Sequence, residues 1–358
     1  MTTDLLTFSR AACQALRLRA TLVFLTIAIV ANLGCQGPLK PVFTDQNPPI
    51  VWPKSPDQPR IRYIGQLTGE DSLHAPAKGL QSLGELFTGP KPKIGFSTPM
   101  SVIAKGDLVF VADGQNQAVY RMDLASRSFA TIRDTGSKRL EWPIDLAFAK
   151  DSIAVVDSKR AAIFLFNMDG VYQRTIGEGQ LKRPASITHD ASTDELFVID
   201  SGSHNCKVFD ATGTKIRTIG ARGAAAGEIN FPTGIARLLD RGFAIADSMN
   251  FRIQILRSDG LPLLSFGHKG DAAGDFALPR DVATDSQGNI YVLDNQFENI
   301  QLFDDQGRLL MALGQEGRGP GEFYLPAGIS IDDQDRIWIA DTYNRRVQVF
   351  QYLKETQP

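Results

Sequence analysis

The sequence predicts an all-β fold: a six-bladed β-propeller of four-stranded antiparallel blades, closed by an N-terminal strand that completes the last blade. Three observations carry the prediction. A unit of about 45 residues recurs six times. Each unit reads as four short β-rich runs separated by turns that use Gly and Asp, such as Ser286-Gln287-Gly288-Asn289 and Ser258-Asp259-Gly260. A spare outer-strand segment precedes the repeats, while the last repeat lacks its fourth strand. The plentiful Gly (32 residues) and the absence of a long heptad pattern also favour strands and turns. A formal net charge of -2 argues against a surface built to neutralise phosphates, so no nucleic-acid partner is expected.

Residues 1–35 read as an export signal of the lipoprotein type. Arg10, Arg17 and Arg19 precede the apolar run Ala20 to Gly34, which is short for a transmembrane helix. The run meets Cys35, and Ala31-Asn32-Leu33-Gly34-Cys35 resembles the bacterial lipobox, with Asn32 where Leu is usual. Cys35 is therefore the expected lipidation site; the alternative is an uncleaved signal anchor. Either reading places the remainder outside the cytoplasm. Cysteine use agrees: Cys13 would leave with the signal, Cys35 would be acylated, and Cys206 alone cannot form a disulfide framework. Without Cys-x-x-Cys-His, no covalent haem is expected.

Residues 36–59 hold Pro38, Pro41, Pro48, Pro49, Pro53, Pro56 and Pro59, a density that favours extended backbone and reads as a stiff tether. Val51-Trp52 suggests that its distal end packs on the propeller. Residues 60–67 are the closing strand of blade six, because Arg60-Ile-Arg-Tyr-Ile-Gly65 matches Lys215-Ile-Arg-Thr-Ile-Gly220. In residues 68–98, an insert, Leu80, Leu83, Leu86 and Phe87 have helical spacing and predict a short amphipathic helix packed on the propeller. The blades occupy residues 99–352. Each opens at a proline (Pro99, Pro143, Pro184, Pro232, Pro279, Pro326) and reaches an aspartate after its second strand (Asp113, Asp157, Asp200, Asp247, Asp294, Asp341).

The units Gly227-Glu-Ile-Asn-Phe-Pro-Thr-Gly-Ile-Ala236 with Ala246-Asp-Ser-Met-Asn-Phe-Arg-Ile-Gln254, and Gly321-Glu-Phe-Tyr-Leu-Pro-Ala-Gly-Ile-Ser330 with Ala340-Asp-Thr-Tyr-Asn-Arg-Arg-Val-Gln348, resemble NHL repeats. The likeness spans nearly all of residues 60–350. With its leader, the chain is similar to bacterial six-bladed NHL lipoproteins of the TolB-like/NHL propeller class. Some members of that group are encoded near multihaem cytochromes, which implies a context of extracellular or multihaem-cytochrome assembly rather than a chemistry.

A residue present in every blade holds every blade, whereas a functional centre must break the symmetry. The six aspartates are accordingly read as caps that accept backbone N–H bonds, and Cys206 as a small buried apolar residue. The connection into each first strand shares a face with the turn between strands two and three. That face gathers the connections Gly220 to Gly227, Gly267 to Gly274 and Gly314 to Gly321, together with the candidate binding residues Asn116, Arg160, His204, Asn250, Phe297 and Asn344. Two residues after each proline stand Ser101, Asp145, Ser186, Gly234, Asp281 and Gly328. Asp145 and Asp281 lie in opposed blades with Arg280 beside one of them. They read as a hydrated mouth or an Arg–Asp pair; likeness to NHL-class amidating lyases instead implies a Ca²⁺-like channel site there.

The residues next to the prolines (Met100, Ile144, Ala185, Thr233, Arg280, Ala327) and only four histidines oppose a three-histidine zinc centre. The expectation is a non-enzymatic, lipid-anchored module at the cell envelope, on the outer membrane or cell surface, that binds a protein partner or serves as a scaffold. The alternative is a metal-dependent hydrolase or lyase, lactonase-like or amidating-lyase-like, acting at the channel mouth.

Overall fold

The computed structural model describes residues 41–44, 46–74, 93–239 and 241–354. The chain divides into two compact units after Val42. Of the first, only Pro41 and Val42 are described; the propeller belongs to the second. The leader with Cys35, the first part of the Pro-rich stretch and the helix expected over Leu80–Phe87 lie outside the described residues. No helix among the described residues is long and apolar enough to cross a membrane.

Six antiparallel sheets stand in a ring. Their innermost strands are Pro99–Lys105, Pro143–Ala149, Pro184–Asp190, Gly234–Leu238, Pro279–Thr284 and Gly328–Ile331. Each touches the innermost strand of the next blade, and that of blade six touches that of blade one. The apolar core sits between blades, not at the axis. Phe110, Ala112 and Val119 of blade one, for instance, pack on Leu146, Val155 and Phe164 of blade two. A single meander cannot bury both of its faces, so stacking around an axis is what makes these apolar strands soluble.

The prolines explain the shape of the inner wall. Proline has no N–H for the ladder, which confines it to a strand start or a bulge. In blades one, two, three and five it begins the strand opposite the recurring aspartate (Pro99↔Asp113, Pro143↔Asp157, Pro184↔Asp200, Pro279↔Asp294), and the register then slips by one residue. The extra residues are Met100, Ile144, Ala185 and Arg280. A bulge leaves its residue unpaired and re-aims its side chain; here those side chains line the axis.

Each of the six aspartates is fully buried and organises a loop. The Asp113 carboxylate accepts from the backbone N–H groups of Ser97, Thr98 and Asn116, and Asp294 accepts from those of Ala277, Leu278, Gln296 and Phe297. The connection into strand one is thereby pinned to the turn after strand two, so both lie on one face. Cys206 is buried against Ile199, and burial pushes its thiol up to about 12.

The ring closes through Ile61–Leu67, which pairs antiparallel with Arg346–Tyr352. The register differs from the sequence match. Val347 is the structural equivalent of Cys206 and pairs with Leu67, while Cys206 pairs with Ile219. Leu67, not Ile64, therefore fills the place of Ile219, three residues further on. Tyr63 and Leu67 are buried while Ile64 lies at a bulge, so burial of Tyr63 and Leu67 selects the register. The Pro-rich stretch is not all tether. Val51–Trp52, free of proline, adds a fifth strand to blade six by pairing with Ile61 and Arg62, and the Trp52 ring packs edge-on against Phe350 at 5.6 Å.

Candidate functional site at the channel mouth

In four blades the wall position two residues after the proline binds blades to one another. Asp145 Oδ1 accepts from Ser101 Oγ (2.7 Å) and from its neighbour Leu146 N (2.8 Å); Oδ2 accepts from Ile187 N of the next blade (2.8 Å). Asp281 Oδ2 accepts from Ile329 N of blade six (2.9 Å) and Oδ1 from Val282 N (2.9 Å). Ser186 Oγ accepts from Ile235 N in the same way (3.2 Å). Where the wall has Gly234 and Gly328, a Cβ would stand 2.5 Å from Asp281 Oδ1 and from Met100 O, so the close approach of the inner strands leaves room only for glycine.

Both carboxylates face the channel but are otherwise enclosed by protein. Burial raises the Asp145 pKa. Burial, reinforced by the Asp145 charge across the channel, raises that of Asp281 well above the usual carboxylate range. A carboxyl whose pKa is higher in the folded than in the unfolded state contributes stability at low pH that is lost as pH rises through the folded value. For Asp281 the loss begins near the unfolded value of about 4 and continues to the raised one. Asp281→Asn should remove this slope: the wild-type-minus-variant free energy of unfolding, from urea titrations at several pH values, falls as pH rises above about 4. A difference that rises with pH would contradict the burial of this carboxylate.

These residues do not fit a cation. The carboxylate oxygens are aimed at N–H and O–H donors of the wall, and the Arg280 guanidinium shares the constriction. Among the described residues no group of three or more His, Cys, Asp or Glu side chains could hold a metal ion.

The six candidate binding residues do not form one free set. Asn116, Asn250 and Asn344 donate through Nδ2 to loop carbonyls (Gly95, Gly223, Gly317) and to the buried aspartates, at 2.8–3.2 Å. They hold the loops down. Arg160 is tied to the Arg139 carbonyl and to Glu141. The Phe297 side chain is half-buried. In blade three the equivalent of Asn116 is Ser203, which donates to Asp200 at 2.8 Å. His204 stands one place later, at the left-handed position shared by Gln117, Ala161, Phe251, Glu298 and Arg345, and its Nδ1 accepts from Phe231 N.

Sequence reasoning missed where the symmetry breaks. The residue after each aspartate ties to the carbonyl of the next blade's proline in four blades: Ser201 to Pro232, Ser248 to Pro279, Asn295 to Pro326 and Thr342 to Pro99. Blade one has Gly114 there, and the Trp142 indole lies against it, 2.9 Å from where a Cβ would be. Trp142 stays 37% exposed. It borders a cavity of about 540 Å³ shared with Arg280, Tyr343, Arg345, Met100 and Leu325. Tyr324 extends this aromatic rim, its ring 5.4 Å from that of Tyr343. The signal was readable: an indole just before Pro143, where other blades carry Thr98, Arg183, Phe231, Leu278 and Leu325.

The comparisons agree with this architecture. Residues 281–356 match the model of a family described as 6-bladed beta-propeller. The fold is a six-bladed β-propeller. Curated proteins give no match. Among solved structures, the chain is similar to a structural genomics protein of unknown function from Bacteroides thetaiotaomicron (15% identity, 72% of this chain and 70% of that one, TM-score 0.58). It is also similar to an auxiliary nutrient binding protein from the same organism (15%, 73% and 70%, 0.55). A third likeness is to virginiamycin B lyase from Staphylococcus aureus (11%, 72% and 96%, 0.53). At these identities the likeness is one of fold alone.

Proposed function

We propose that this propeller is an exported, lipid-anchored binding or scaffold module of the NHL type at the cell envelope, which engages a protein partner through the face carrying the strand-connecting loops. The observation that carries the reading is the exposed aromatic rim of Trp142, Tyr324 and Tyr343 around one side of the channel mouth. Aromatic side chains on rigid loops supply large contact area at low entropic cost and are typical anchors of interfaces. The leader ending at Cys35 supplies the membrane attachment.

The test is photo-crosslinking in intact cells from position 343, with position 171 as control. Val171 is 61% exposed in the turn between the third and fourth strands of blade two, on the opposite face. A discrete adduct from position 343 but not from 171 is expected, together with loss of labelled palmitate and of membrane fractionation in Cys35→Ser. Equal adducts from both faces, or palmitate incorporation without Cys35, would overturn the reading.

A further inference from the structure

Arg280 is a charged side chain that the hydrogen-bond network of the inner wall does not use. It is the bulged residue of blade five, which turns it out of the ladder toward the axis. Among the described residues its guanidinium makes no hydrogen bond and no ion pair, which leaves its five N–H donors to whatever enters the cavity. Below it, Asp281 and Asp145 lie close enough to favour its charge, but their oxygens are directed at the N–H groups of the neighbouring blades. Above it opens the 540 Å³ cavity, within the roughly 300–1,000 Å³ usual for small-molecule sites.

The cavity's lining narrows the chemistry. Among the described residues no Asp or Glu lines it, and a second guanidinium, Arg345, stands at its rim. Its lining includes the Trp142 ring, which packs on Gly114, together with Tyr343, Met100 and Leu325. Guanidinium groups pair with carboxylate or phosphate, but the negative charge of the Asp145–Asp281 pair just beneath Arg280 would repel a dianion more than a monoanion.

We infer that this cavity binds a small organic monoanion, a carboxylate carried on a flat apolar body, with the carboxylate on Arg280 and the body between Trp142 and Tyr343. Such a site goes beyond the docking reading above and does not depend on it, since no partner takes part in its test.

The test uses Trp142 as its own reporter. Of the three tryptophans, Trp338 is fully buried and Trp52 is packed on Phe350, so quenching by a solute in the cavity is dominated by Trp142. The full chain is titrated in detergent with indole-3-acetic acid read by calorimetry, with 3-phenylpropionate read by fluorescence, and with their amides as neutral isosteres. The acids should bind with Kd below about 1 mM and the amides at least about tenfold more weakly, the loss of one charge-assisted pair. Arg280→Gln should weaken the acids about tenfold or more while leaving the amides unchanged. Because Arg280→Gln alters the constriction, its melting curve is recorded alongside. Arg345→Gln, at an exposed position, serves as the variant that cannot unfold the domain and should weaken the acids several-fold. Gly114→Ala, which pushes a methyl into the indole, should weaken acid and amide alike. Absence of acid binding at millimolar concentration, equal binding of acid and amide, or unchanged acid affinity in both arginine variants would each overturn the proposal.

Discussion

Deleting Ile61–Leu67 from the full chain is expected to abolish cooperative folding and send the protein into aggregates. The segment buries Ile61, Tyr63 and Leu67 almost completely, each contributing about 1.5–3 kcal/mol of apolar transfer. Their sum approaches the roughly 5–15 kcal/mol by which ordinary domains are stable. The deletion also strips the outer partner from Arg346–Tyr352 and opens a long apolar edge, a template for pairing with other chains. Removing Val51–Trp52 instead takes away only an outermost strand and the Trp52–Phe350 contact. That deletion should lower the melting temperature by several degrees while leaving a single transition. Thermal unfolding followed by circular dichroism, with sedimentation of the soluble fraction, distinguishes the two. Equal melting temperatures would show that the ring does not close through Ile61–Leu67.

Asp341→Ala should cost about 3–5 kcal/mol, more than the loss of a blade aspartate that has no cationic partner. The Asp341 carboxylate is fully buried and accepts from Arg346 Nε (2.7 Å), Tyr324 N (2.9 Å), Asn344 Nδ2 (2.9 Å) and Gln348 Nε2 (3.0 Å). Its loss leaves the buried Arg346 without its counter-charge, although carbonyls of Arg318, Gly319 and Glu322 still accept from that guanidinium. Asp294→Ala removes only backbone N–H partners, so it should cost less, about 1–3 kcal/mol. Urea denaturation of the two variants makes the comparison. An Asp341→Ala penalty no larger than that of Asp294→Ala would mean that the Arg346 pair adds nothing to the shared cap. The same logic explains why these aspartates recur: each satisfies donors that would otherwise be buried unpaired.

The blade count and order, the closing role of the segment before the insert, the face shared by two sets of loops and the capping aspartates were all legible in the sequence. They follow from local chemistry repeated six times. A proline lacking an N–H must start a strand, a β-rich run must alternate its faces, and an aspartate after a buried strand must satisfy nearby N–H groups. Internal repetition let each copy check the others. The tertiary structure decided what depends on distances between residues far apart in the chain. The closing strand pairs three residues from its sequence match because burial of Tyr63 and Leu67 outweighs the resemblance of Arg60–Gly65 to Lys215–Gly220. The loop asparagines are consumed by carbonyls about 20 to 27 positions away in sequence, and Asp145 and Asp281 by N–H groups of the next blade. Conversely, Arg280 and Trp142 become a site only because a bulge turns one toward the axis and a glycine in the preceding blade makes room for the other. The indole before Pro143 stands out in the sequence, but that it shares a cavity with Arg280 does not, since that is decided where blades meet.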